Sequence, residues 1–145
     1  METWIIILIN GIISGIFSFI GYRQSRKTNK RDFINNQISI IEKGIDSVRD
    51  KTYELYRHIF VEEESLDENI DYRLLSQKVD NLQSKILVNK NFIELEDLVA
   101  DFNIFSINVV ESEDINLAKI NLNIFDDSYQ DFKKELYKIE NKLNI

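Results

Sequence analysis

The chain has 145 residues, four Gly, no Pro and no Cys, with a formal charge of −7 at pH 7. Without Cys there is no disulfide framework and no thiolate metal site, and the length leaves room for one soluble domain beyond an apolar N-terminal segment. The charge is unevenly divided: Arg23, Arg26, Lys27, Lys30 and Arg31 against Glu2 give residues 1–31 a net +4, which leaves −11 on residues 32–145. An acidic domain repels nucleic acid and anionic lipid, so its surface suits neither. Abundant Ile and Asn with scarce Ala fit the codon bias of an AT-rich bacterial or phage genome.

Residues 4–22 contain no charge. At 1.5 Å per residue they extend roughly 28 Å, against a hydrocarbon core of about 30 Å, and read as a transmembrane helix. A secretory signal carries its positive charge before the apolar run. Here the basic residues follow it, so the segment is expected to remain as an uncleaved anchor. Lys and Arg hold their flank in the cytoplasm, which puts the N-terminus outside and residues 23–145 in the cytosol, with Trp4 and Tyr22 at the two interfaces. Arg23, Arg26, Lys27, Lys30 and Arg31 form a juxtamembrane collar over residues 23–31, each attracted to anionic headgroups by about 1 kcal/mol.

One face of the span is small and polar. Gly11, Ser14, Ser18 and Gly21 recur at spacings of three and four, Gly15 completes a Gly-x-x-x-Gly pair, and Asn10 lies beside them. Small residues let helix backbones approach closely, and Ser or Asn bonds across the contact. Self-association through Asn10, Gly11, Ser14, Gly15, Ser18 and Gly21 is the expectation.

With no Pro and only Gly44 past the span, little punctuates residues 32–145, which predicts long helices and an all-α fold. A heptad of Ile34, Ile38, Ile41, Ile45, Val48, Thr52, Leu55 and Ile59 predicts a helix over about 32–61, with Thr52 as its weak member and with nothing to break it from the span. Ser65 and Glu68 have capping-box spacing before a helix over about 68–89, whose stripe is Tyr72, Leu75, Val79, Leu82 and Ile86. Asn91 is expected to cap a helix over about 91–110 with Phe92, Leu95, Val99, Phe102, Ser106 and Val109 on one face. Its centre, 102–110, has strand propensity too, but the heptad continues through it. Ser112 is expected to cap the last helix, about 113–144, with Ile115, Ala118, Leu122, Phe125, Tyr129, Phe132, Leu136, Ile139 and Leu143 in the core. Short connections predict an antiparallel four-helix bundle; regular heptads also fit a coiled-coil-like domain assembled between chains.

No catalytic signature is present. His58 is the only histidine, so a metal site or a Ser-His-Asp arrangement would rest on it alone. Pairing with Glu54 or Glu62 is the better account of it. Glu62, Glu63 and Glu64 lack a calcium-loop pattern, and Gly44 alone cannot build a glycine-rich phosphate loop. No cofactor or metal is expected, and the chain reads as a non-enzyme.

The layout of residues 4–31 followed by helices resembles small bacterial membrane effectors of phage-defence and prophage loci, including CRISPR-associated accessory membrane proteins. Those join one N-terminal span to a cytosolic helical bundle and assemble into rings. The resemblance is one of architecture, so no functional residue is carried over. It implies a homo-oligomeric antiviral membrane effector at the cytoplasmic membrane, with lipid as partner. The other reading is a membrane-tethered scaffold that recruits a cytosolic protein through its acidic domain.

Overall fold

A computed structural model describes residues 2–62 and 68–143, with side chains described for 3–62 and 71–143. Among the described residues there are helices and short connections and no strand. Helix α1 is Glu2–Tyr56 and passes into one π-helical stretch, Arg57–Val61; α2 is Glu68–Leu87; a 3₁₀ segment Lys90–Leu95 leads into α3, Glu96–Val110; and α4 is Ile115–Leu143. The predicted break-free passage from the apolar segment into the following helix is therefore present: α1 is one helix of 55 residues. The chain divides into two compact units, Met1–Asn36 and Gln37–Ile145.

In the second unit the α1 heptad is the core stripe. Ile38, Ile41, Ile45, Val48 and Leu55 are all 5% exposed or less. From α2, Leu75, Val79, Leu82 and Ile86 are buried, as are Phe92, Leu95, Val99, Phe102 and Val109 around α3. From α4 the buried apolar residues are Ala118, Phe125, Phe132, Leu136 and Ile139, while Ile115 is 37% exposed because α4 only begins there. Phe102 stacks on Phe125 at 4.8 Å and on Phe132 at 5.7 Å between centroids, which joins α3 to α4. Aromatic pairs of this kind add about 0.5–1.5 kcal/mol beyond their burial.

Two caps differ from expectation. Asn89, not Asn91, accepts the bond that opens the third segment, from the Asn91 backbone N–H at 3.0 Å. Asp114, not Ser112, caps α4 by accepting from the Leu117 N–H at 2.8 Å, while Ser112 donates back to the Asn108 carbonyl. In each case the carboxylate or amide nearer the point where the backbone leaves the preceding turn wins. The Ser65–Glu68 capping box lies outside the described residues.

The two polar residues that interrupt the heptads of α1 and α3 answer each other. Thr52 and Ser106 are fully buried, and their hydroxyl oxygens are 2.7 Å apart. Thr52 donates to the Val48 carbonyl at 2.7 Å, so Ser106 supplies the proton between them. Burying two hydroxyls is tolerable because each proton has an acceptor, that of Ser106 on Thr52 and that of Thr52 on the Val48 carbonyl. Thr52→Val is expected to cost about 1–2 kcal/mol by stranding Ser106, and Thr52→Val with Ser106→Ala to cost less than the two single changes added together. Urea midpoints of the four proteins in that cycle measure the coupling; strict additivity would mean that the bond contributes nothing.

A polar seam joins α1 to α4. Tyr53 donates to Asp126, and Tyr129 donates to Asp46 at 2.8 Å. Lys133 reaches Glu42 and Asp46 at 3.1 Å each. The Arg49 guanidinium lies 4.8 Å from the ring centres of both Tyr53 and Tyr129, a half-buried setting in which each cation–π contact adds about 1 kcal/mol.

Candidate functional site

The expected association face is on the first unit. α1 is helical through all of it, so wheel positions follow from 100° per residue. Asn10, Gly11, Ser14, Gly15, Ser18 and Gly21 fall within an arc of about 140°. The opposite arc carries Ile12, Ile13, Ile16, Phe19 and Ile20. Every described residue from 3 to 33 is exposed. A Cβ added at Gly11, Gly15 or Gly21 would meet nothing within 4 Å. Glycine weakens a helix interior by about 1 kcal/mol relative to Ala, and at these three positions no contact among the described residues requires it. By length and composition α1 contains a stretch able to cross a membrane, and none of that stretch is buried.

The unbroken helix shows what a reading confined to the uncharged span misses. The same arc continues through Ser25, Thr28, Asn29 and Asp32, so positions 11, 14, 18, 21, 25, 28 and 32 keep spacings of three and four without a large apolar residue. Tyr22 is the only large residue in that arc between 10 and 32. Arg23, Arg26, Lys27, Lys30 and Arg31 all fall in the other half of the wheel. Within the collar, the basic residues therefore form a stripe opposed to the small one. The signal was available in the sequence by continuing the three-four count past Arg23, provided the helix did not break.

His58, in the π-helical stretch, has Nδ1 at 3.2 Å from Glu62 Oε2. Of the two partners expected for it, the geometry selects Glu62. Among the described residues no group of three or more His, Asp or Glu is arranged to hold a metal ion. Glu63 and Glu64 lie outside the described residues.

No protein-family model matches the chain, and no curated protein or solved structure is significantly similar to it.

Proposed function

We propose that this chain is a non-enzymatic, single-pass protein of the bacterial cytoplasmic membrane. It assembles with copies of itself through the small face of α1 and perturbs the bilayer, in the manner of the effectors of defence and prophage loci that its architecture resembles. The observation that carries the reading is the set of glycines at 11, 15 and 21, where an added Cβ would meet nothing within 4 Å among the described residues. Facing another copy, they let two backbones approach closely, and Ser14, Ser18 and Ser25 supply cross-helix bonds of roughly 0.6–2 kcal/mol each. A seven-residue repeat of small positions favours a left-handed crossing. The opposed basic stripe then faces outward, toward anionic headgroups on the cytoplasmic side.

In this reading residues 32–145 form an antiparallel four-helix bundle in the cytosol. The α1–α4 partners support that arrangement, since rising numbers on α1 (Glu42, Asp46, Tyr53) meet falling numbers on α4 (Lys133, Tyr129, Asp126). A scaffold role has its own support in Ile104, Ile120 and Ile124, which are 42–57% exposed on the acidic unit.

Gly11→Leu combined with Gly15→Leu is expected to lower the mass of the purified chain in detergent toward a single copy and to abolish dye release from reconstituted vesicles. An unchanged mass would sink the assembly reading. Exchange of residues 1–22 for an unrelated anchor separates the two roles: retained capture of a cytosolic protein, with loss of dye release, favours the scaffold.

A further inference from the structure

We infer that the groove between α1 and α2 is an anion site that takes a phosphate or small phosphoester group. A cleft of about 280 Å³ there is lined by Lys43, Ser47, Lys78, Asn81 and Lys85, over a floor of Gly44 and Leu82. Among the described residues no carboxylate lines it. In a segment that carries −11 overall, three lysines lining one cleft without an acid among the described residues is a departure from the surrounding pattern. Lys51, one turn along α1 from Ser47, is held by Asp71 at 3.0 Å and Glu54 at 3.4 Å, and Lys133, Lys138 and Lys142 each have a carboxylate partner. Lys43, Lys78 and Lys85 form no ion pair among the described residues, although they stand in the same acidic unit. Lys90, Lys119 and Lys134 form none among the described residues either; what distinguishes the three is that they line one cleft together with further donors.

The lining is a donor set. Lys78 donates to the Ser47 hydroxyl, and the Asn81 amide adds N–H donors to the lining. Three point charges with hydroxyl and amide donors match a multivalent tetrahedral oxyanion, for which Lys is a standard partner. The floor has a cause in the sequence. Gly44 is the only glycine beyond the apolar segment, and a Cβ there would lie 3.0 Å from Leu82 Cδ1. The missing side chain therefore lets α1 and α2 approach and keeps the cleft floor bare. The volume is just under the roughly 300–1,000 Å³ of pockets for drug-sized ligands, which suits one phosphate with a small substituent. A nucleic-acid backbone is disfavoured by the net −11 of residues 32–145.

The test is a lysine-acetylation footprint, read by mass spectrometry, on the full chain in nanodiscs. In neutral phosphatidylcholine, inorganic phosphate at ten times its dissociation constant is expected to slow labelling of Lys43, Lys78 and Lys85 about tenfold relative to chloride at equal ionic strength. Lys119 and Lys134 should label at unchanged rates. Protection by phosphate in neutral discs identifies a soluble phosphoester as the source. Protection without added phosphate, in discs doped with phosphatidylglycerol, identifies a lipid headgroup. Lys85→Gln, at an exposed position that folding does not need, should remove most of the protection of Lys43 and Lys78. Absence of protection in both discs overturns the proposal, and so does slowing shared equally by Lys119 and Lys134. The result is independent of self-association, since the footprint reads one chain.

Discussion

Phe102→Ala is expected to destabilise the second unit by about 3–5 kcal/mol, the range for truncating a buried Phe. The site is fully buried and its ring touches two others, Phe125 and Phe132. All three rings belong to α3 and α4, so the cavity opens inside the pairing of those helices, where the surrounding rings are too stiff to collapse into it. Total stabilities of domains this size are about 5–15 kcal/mol, so a loss of this order leaves the unit close to unfolding at 37 °C. Phe102→Leu, which keeps most of the volume, should cost less than half as much. Ile104→Ala, two residues away on the same helix and 54% exposed, should cost well under 1 kcal/mol. Urea unfolding of the full chain in detergent, followed by near-UV circular dichroism of the Tyr and Phe bands, measures all three. Trp4 is the only tryptophan and lies in the apolar segment, so its fluorescence follows a different part of the molecule. Equal midpoints for Phe102→Ala and Ile104→Ala would show that the ring stack is not the core of this unit.

That stack was legible in the sequence, because Phe102, Phe125 and Phe132 all fall on heptad positions and a 3.6-residue period says directly which side of a helix is buried. The same count exposed Thr52 and Ser106 as misfits, but not as partners; pairing needs the register between two helices, which no single helix encodes. The polar seam was hidden for another reason. Glu42, Asp46 and Arg49 look like a solvated face, and only a neighbour presenting Tyr129, Lys133 and Asp126 at the right height makes them structural. Asn103 gave no signal at all: it is 6% exposed, and neither Oδ1 nor Nδ2 is bonded among the described residues. Both caps differ from expectation by two residues, since Asn89 and Asn91, and Ser112 and Asp114, are all good capping types, and the choice depends on where the backbone leaves the preceding turn. On the candidate face, Asn10 through Gly21 could be found from spacing alone, whereas the extension to Asp32 and the opposed basic stripe needed a helix that does not stop at the first charge. The anion groove was illegible because its lysines come from two helices, and a search for glycine-rich phosphate loops passes over Gly44 as a lone residue.

The α1–α4 seam makes the fold sensitive to alkali. Burial pushes the Tyr53 phenol up to about 12, with its bond to Asp126 and that carboxylate's charge adding to the shift and Arg49 opposing it. Burial raises Tyr129 as well, helped by its bond to Asp46. For Lys51 and Lys133 burial works to lower the pKa, but bonds to Asp71 in one case and to Asp46 and Glu42 in the other outweigh it, and both end raised. All four groups therefore bind their protons more tightly folded than unfolded, where Tyr titrates near 10 and Lys near 10.5. Their stabilising contribution is complete below those unfolded values and is lost as pH climbs through the folded ones. Ionised Tyr53 would set a phenolate against Asp126, and neutral Lys133 would leave Glu42 and Asp46 facing each other. Tyr53 alone accounts for about 3 kcal/mol at most, less after solvent screening of a partly exposed ring, and the four together act in one direction. The melting temperature should thus be flat from pH 8 to 10 and fall steeply between 10 and 12. Tyr53→Phe leaves Asp126 without its donor and should cost about 1–3 kcal/mol at pH 8, but its curve should converge on the parent's as pH climbs from 10 to 12, where ionisation of the unfolded phenol cancels the parent's advantage. Thermal melts of both proteins across that range decide the matter: curves that stay parallel to pH 12 would mean that the Tyr53 proton has no part in holding α1 against α4.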